Sequence, residues 1–233
     1  MITKPVKNYL TQSIRTNGKL ILIVHFIILF AGVLLSIGRG IPAFASMFSD
    51  HLLTEFVIDL PVKIAGGATT IILLLKSKSY SDWQETFPNN PITKKEFAAA
   101  TYLEMFISAF LGIPTLIIIW IVAAVVDPSV VDAMFTYGVF NVGGMIFLVW
   151  MMISVVYILQ FTKLVKISQG SMVLIVGLFS SLWTTMGVQN ILISMNLNRI
   201  IAAFICVILG LIILAISWKV TTILYEKKEM QNG

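Results

Sequence analysis

Six long apolar runs fill most of this chain, roughly Leu20–Ile37, Val57–Leu75, Phe97–Val126, Phe135–Leu159, Ser171–Val188 and Ile200–Trp218. Each approaches or exceeds the ~20 residues that cross ~30 Å of hydrocarbon. The runs therefore predict an all-α membrane protein with six transmembrane helices.

The basic residues alternate with the runs. Lys4, Lys7, Arg15 and Lys19 come before the first, Arg39 after it, and Lys76, Lys78, Lys94 and Lys95 after the second. None follows the third, Lys163 and Lys166 follow the fourth, Arg199 the fifth, and Lys219, Lys227 and Lys228 the last. Thirteen of the 16 Lys and Arg thus fall on one side and two on the other, with Lys63 inside a run. By the positive-inside rule both termini are predicted in the cytoplasm.

At 58% hydrophobic and 12% charged residues, against ~25% charged in soluble domains, the chain has room for one membrane domain over residues 1–233 and no separate soluble one. The net charge of +5 reads as topology-determining flanks at the inner leaflet and implies no nucleic-acid partner. The single cysteine, Cys206, excludes an internal disulfide framework and a cysteine metal cluster.

At the N-terminus, Val6, Leu10 and Ile14 share a helical face opposite Lys4, Asn8 and Arg15, predicting a short interfacial helix over 3–17. Between the second and third runs, Ser81-Asp82-Trp83-Gln84 reads as a capping box opening a short helix over 81–88 that Pro88 ends. Thr93-Lys94-Lys95-Glu96 is a second capping box, with Ile92 and Phe97 placed as a hydrophobic staple, so the third span starts at Lys94. Gly177, Ser181 and Thr185 form a small-residue stripe in the fifth run, and Gly66-Gly67 and Gly143-Gly144 offer similar close approaches. Packing within the chain and packing against a second copy both fit these stripes.

Four ionisable residues lie within the runs: His25, Asp59, Lys63 and Glu104. Such groups usually face partners or water, which makes them candidates for a translocation path. Asp59 and Lys63, four apart with the acid first, suit an ion pair on one helix face. Glu104 has no basic neighbour one turn away, so it needs a partner on another helix, a wet cavity or a proton. His25 fits a hydrogen bond to a neighbouring helix.

Catalytic signatures are missing. There is no G-x-S-x-G, no H-E-x-x-H and no G-x-x-x-x-G-K-[ST] phosphate cradle, so no catalytic or metal-binding residue is assigned and an enzyme is not expected.

The segment Phe87-Pro88-Asn89-Asn90-Pro91-Ile92-Thr93-Lys94-Lys95-Glu96-Phe97 resembles the turn into the third span of type-2 ABC exporter membrane subunits, the ABC-2 permeases. The six-span plan and the principal cytoplasmic loop between spans two and three are similar too. The resemblance implies that Asp82 to Phe87 is a coupling helix docked in a separate ATPase subunit, with Trp83 and Phe87 as apolar anchors and Asp82 and Glu85 as polar contacts. Pro91, Thr93, Lys95 and Glu96 then form the elbow into span three. It also implies ATP and Mg on that ATPase and none on this chain, and a second permease subunit, identical or not, meeting this one near the Gly177, Ser181, Thr185 stripe. The cargo it suggests is an amphipathic or hydrophobic peptide of toxin or antimicrobial type, exported across a bacterial plasma membrane. A peptide-binding sensor or immunity protein, and a lipid or ion transporter, are the alternative readings.

Overall fold

The computed structural model describes residues 3–46, 61, 67, 69–74, 80–161 and 170–231. Every element among them is helical: α1 Lys4–Arg39, α2 Pro42–Ala45, α3 Tyr80–Thr86, α4 Lys94–Val126, α5 Val130–Ala133, α6 Val139–Phe161, α7 Gly170–Ser194 and α8 Arg199–Gln231. A π-helical turn, Met134–Gly138, joins α5 to α6. Asp59, Lys63 and most of the second apolar run lie outside the described residues.

Among the described residues four helices are long and apolar enough to cross a membrane: Lys4–Arg39, Lys94–Val126, Val130–Leu159 and Arg199–Leu224. The fifth apolar run does form a 25-residue helix, α7.

The separate interfacial helix expected over 3–17 is instead the start of α1, which runs unbroken for 36 residues. Gly18 does not interrupt it, since no described glycine has positive φ. Val6, Tyr9, Ser13 and Asn17 are its buried residues there, spaced three or four apart along one stripe. Val6 and Tyr9 cluster with Phe97 and Ala100 of α4, so this stripe faces a helix.

α1 and α4 lie side by side and parallel, tied at four levels. Thr3 Oγ1 donates to Glu96 Oε1 (3.0 Å), Tyr9 to Glu104, His25 meets Thr115, and Arg39 pairs with Asp127. At 1.5 Å per residue each helix is ~50 Å long, more than the ~30 Å of hydrocarbon. The surplus is at the end bearing Lys4, Lys7, Lys94 and Lys95. On α1 the continuous band of exposed apolar side chains begins at Leu20 and ends at Ile37.

The start of α4 follows from local sequence. Thr93 Oγ1 accepts from the Glu96 amide (3.2 Å) and Glu96 Oε2 accepts from the Thr93 amide (3.1 Å), a reciprocal capping box. Ile92 and Phe97, the staple residues, are both buried in the same cluster.

The second half of the bundle is built on α6 and α8. Trp150, Phe147 and Cys206 are completely or almost completely buried there. Two glycines permit the close crossing: a Cβ on Gly143 would lie 2.7 Å from Ala203 Cα and O, and one on Gly210 2.8 Å from Trp150 Cε3. α4 joins this half through Tyr102, whose hydroxyl bonds Ser217 Oγ (2.6 Å) and Thr221 Oγ1 (2.9 Å) of α8.

Candidate coupling site

The basic end of the bundle carries the cluster of interest. α3 has only seven residues, far below the ~12–15 at which an isolated helix becomes marginally stable, so tertiary contacts must hold it. Trp83 supplies them. It is 5% exposed and lies against Tyr9 of α1 (ring centroids 4.4 Å) and against Phe87 (4.4 Å). Tyr9 in turn meets Phe97 of α4 edge-on at 5.5 Å. Tyr80 completes the clamp, its ring 5.7 Å from Phe97 and its hydroxyl donating to the Ile92 carbonyl (2.9 Å).

The sequence reading needs adjustment at α3. Gln84 donates to the Tyr80 hydroxyl (2.7 Å), so the helix includes Tyr80 and ends at Thr86, with Pro88 in the turn beyond. Trp83, expected as an anchor for a partner, faces into this chain, and Phe87 is half-buried against it. The outward face carries Ser81, Asp82, Gln84, Glu85 and Thr86, all exposed. Pro91, Thr93 and Lys95 of the elbow are exposed as well, and Glu96 is half-buried at the cap.

Glu104 lies beneath this cluster. Tyr9 donates to its Oε2 (3.2 Å) and Ser13 donates to its Oε1. Asn17 donates to Ser13 Oγ (3.2 Å), and Thr101 Oγ1 lies 3.5 Å from the Tyr9 phenol oxygen Oη. The partner that the sequence required is thus the first helix. Ser13 is seven residues before Leu20, so Glu104 sits ~10 Å below the start of the apolar band on α1. Glu104→Gln is expected to keep most of this bonding, while Glu104→Leu strands the Tyr9 and Ser13 hydroxyls at ~1–3 kcal/mol each. Limited proteolysis near the N-terminus checks this, with cleavage rising in the Leu variant and not in the Gln variant.

His25 joins three segments at mid-helix. Its Nε2 lies 2.7 Å from Thr69 Oγ1 and its Nδ1 3.1 Å from Thr115 Oγ1. Thr70 and Ser108 make a second link between the same segments (3.3 Å). These contacts satisfy both ring nitrogens within the bundle.

At the opposite end Arg39 Nε donates to Asp127 Oδ2 (2.7 Å), and the Ser129 hydroxyl and amide both donate to Asp127 Oδ1 (2.6 and 3.0 Å). The Ser129 hydroxyl first, then Arg39, hold the Asp127 carboxyl below its usual range. A depressed carboxylate contributes stability above its ordinary pKa of about 4 and loses it as the pH falls through the lower folded value. Thermal midpoints in detergent are expected to show a small acid loss that Asp127→Asn abolishes, with a cost at neutral pH under ~1 kcal/mol.

The small-residue stripe of α7 is used within the chain. Ser181 and Thr185 are buried, and a Cβ on Gly177 would approach Val156 Cγ2 of α6 to 2.6 Å. The face of α7 left open carries Phe179, Trp183 and Met186. No group of three or more metal-ligating side chains occurs among the described residues.

Compared with protein-family models, curated proteins and solved structures, the chain finds no match.

Proposed function

We propose that this chain is the membrane subunit of an ATP-driven exporter whose ATPase is a separate polypeptide. The observation that carries the proposal is a short helix, α3, clamped by Trp83 and Tyr80 against both long parallel helices while its polar face is solvent-exposed. A helix held this way transmits a push. Force on Asp82 or Glu85 reaches Tyr9 and Phe97 through packed rings, and α1 and α4, tied from Glu96 to Asp127, move together.

The docking face is acidic through Asp82 and Glu85, so a basic groove on the ATPase is the complementary partner. ATP and Mg belong to that subunit. The full topology proposed is six spans with both termini cytoplasmic, in a bacterial plasma membrane, paired with a second permease subunit. The cargo proposed, an amphipathic or hydrophobic peptide, rests on the family resemblance.

Affinity purification of the detergent-solubilised chain with its native partners tests this reading. A stoichiometric ATP-binding subunit is expected to accompany the wild-type chain and to be lost from Glu85→Arg. A chain recovered alone under mild conditions contradicts it and favours a sensor or immunity protein.

A further inference from the structure

We infer that the end of the bundle opposite α3 holds a site for the headgroup of an anionic phospholipid, built on Arg199. The inference is independent of the exporter reading.

A cavity of about 100 Å³ opens there between the start of α6, the end of α7 and the start of α8. Its apolar wall is Phe140, Leu192, Leu197 and Ala202, and its polar groups are Asn196 and Arg199. Sites for drug-sized ligands measure ~300–1,000 Å³, so this one suits a group of a few heavy atoms and excludes a peptide. A phosphate with its ester oxygens is of that size.

Charge selects the ligand. Arg39 and Arg199 are the basic residues of this end among the described segments, and Arg39 is paired with Asp127. Arg199 has no acidic partner among the described residues. Its guanidinium carbon lies 3.9 Å over the Tyr137 ring, a cation–π contact that is not a hydrogen bond and so takes up none of the five N–H donors. Those donors match a phosphate oxygen pair in a bidentate fork. Asn196 lines the same cavity with its backbone in the left-handed region, φ 54°, and its side-chain amide is the uncharged donor of that lining.

The surroundings decide for a lipid over a free anion. Ile193 lines the cavity and is 48% exposed, and Ile200, Ile201 and Phe204 continue an exposed apolar strip down α8. A headgroup seated at Arg199 lets its acyl chains lie along that strip, and a tyrosine at the rim is the residue usual at the level of headgroups.

Calorimetric titration of the full chain in neutral detergent with short-chain phosphatidylglycerol tests the site. Wild type is expected to bind it at least about tenfold tighter than phosphatidylcholine, Arg199→Gln to weaken it about tenfold or more, and Arg199→Lys to weaken it less. Millimolar inorganic phosphate is expected not to displace it. Asn196→Gly, compatible with a positive φ, gives a second variant should Arg199→Gln misfold on gel filtration, with an expected weakening of a few fold. Unchanged affinity in the folded variants, equal binding of phosphatidylcholine, or displacement of the lipid by inorganic phosphate each overturns the proposal.

Discussion

Trp83→Ala is expected to free α3 from the rest of the protein while leaving the membrane helices in place. Removing a buried tryptophan costs ~3–5 kcal/mol, and here the loss falls on a seven-residue helix that has little stability of its own. Trp83 and Tyr80 are its ring contacts to α1 and α4, so α3 should unfold locally before anything else does. Hydrogen exchange reads this directly: amides of residues 80–87 lose protection in the variant, and those of α4 beyond the capping box keep theirs. Tyr9→Ala should act in the same direction from the α1 side, and Tyr9→Phe more weakly, since the phenylalanine keeps the ring contact and loses only the hydroxyl's bonds to Glu104 and Thr101. Unchanged protection over 80–87 in Trp83→Ala contradicts the clamp.

The second large effect is at the crossing of α6 and α8. Gly143→Leu has no room, because even a Cβ would meet the Ala203 backbone at 2.7 Å, and backbone cannot yield as a flexible side chain does. Overpacking costs ~1–3 kcal/mol where side chains can adjust, so a larger loss is expected here. In a membrane, helices associate through close packing and hydrogen bonds, so forcing α6 away from α8 at Ala203 loses that packing. Gly187→Ala is the matched control, since nothing lies within 4 Å of its added Cβ. Thermal unfolding in detergent should show a steep drop for Gly143→Leu and almost none for Gly187→Ala.

What the sequence could reveal divides by range. The start of α4 was legible because a capping box is a local device: Thr93, Glu96, Ile92 and Phe97 specify one another within six residues. The apolar runs were legible for the same reason, since hydropathy is read within one segment. The continuity of α1 was not legible. An apolar stripe over Val6, Leu10 and Ile14 fits a membrane surface as well as a neighbouring helix, and only the packing on α4 decides between them. In the structure Ile14 is 70% exposed while Val6 is buried, so even the face was displaced from the one the spacing suggested.

The candidate site shows the same limit. An exposed anchor and a buried clamp have identical sequence signatures, and Trp83 becomes a clamp because Tyr9, more than seventy positions away, occupies the space beside it. Tyr9 itself carried no signal in a basic N-terminal segment. A search for an aromatic partner to a lone tryptophan would have found it among several tyrosines without ranking it. Its position in an apolar run marks Glu104 as a group in need of a partner, yet its donors, Tyr9 and Ser13, lie on a segment whose spacing suits a membrane surface equally well.

The central claim is that the open face of α3 docks a separate ATPase, and crosslinking at that face tests it most directly. Cys206 is fully buried, so Glu85→Cys provides the one accessible thiol among the described residues, and Ser194→Cys, exposed at the opposite end of the bundle, provides the matched control. In membranes from the native host, a thiol-reactive crosslinker is expected to join the chain to an ATP-binding protein from position 85 and not from position 194. Absence of any ATP-binding protein at position 85, or the same product from both positions, contradicts the account.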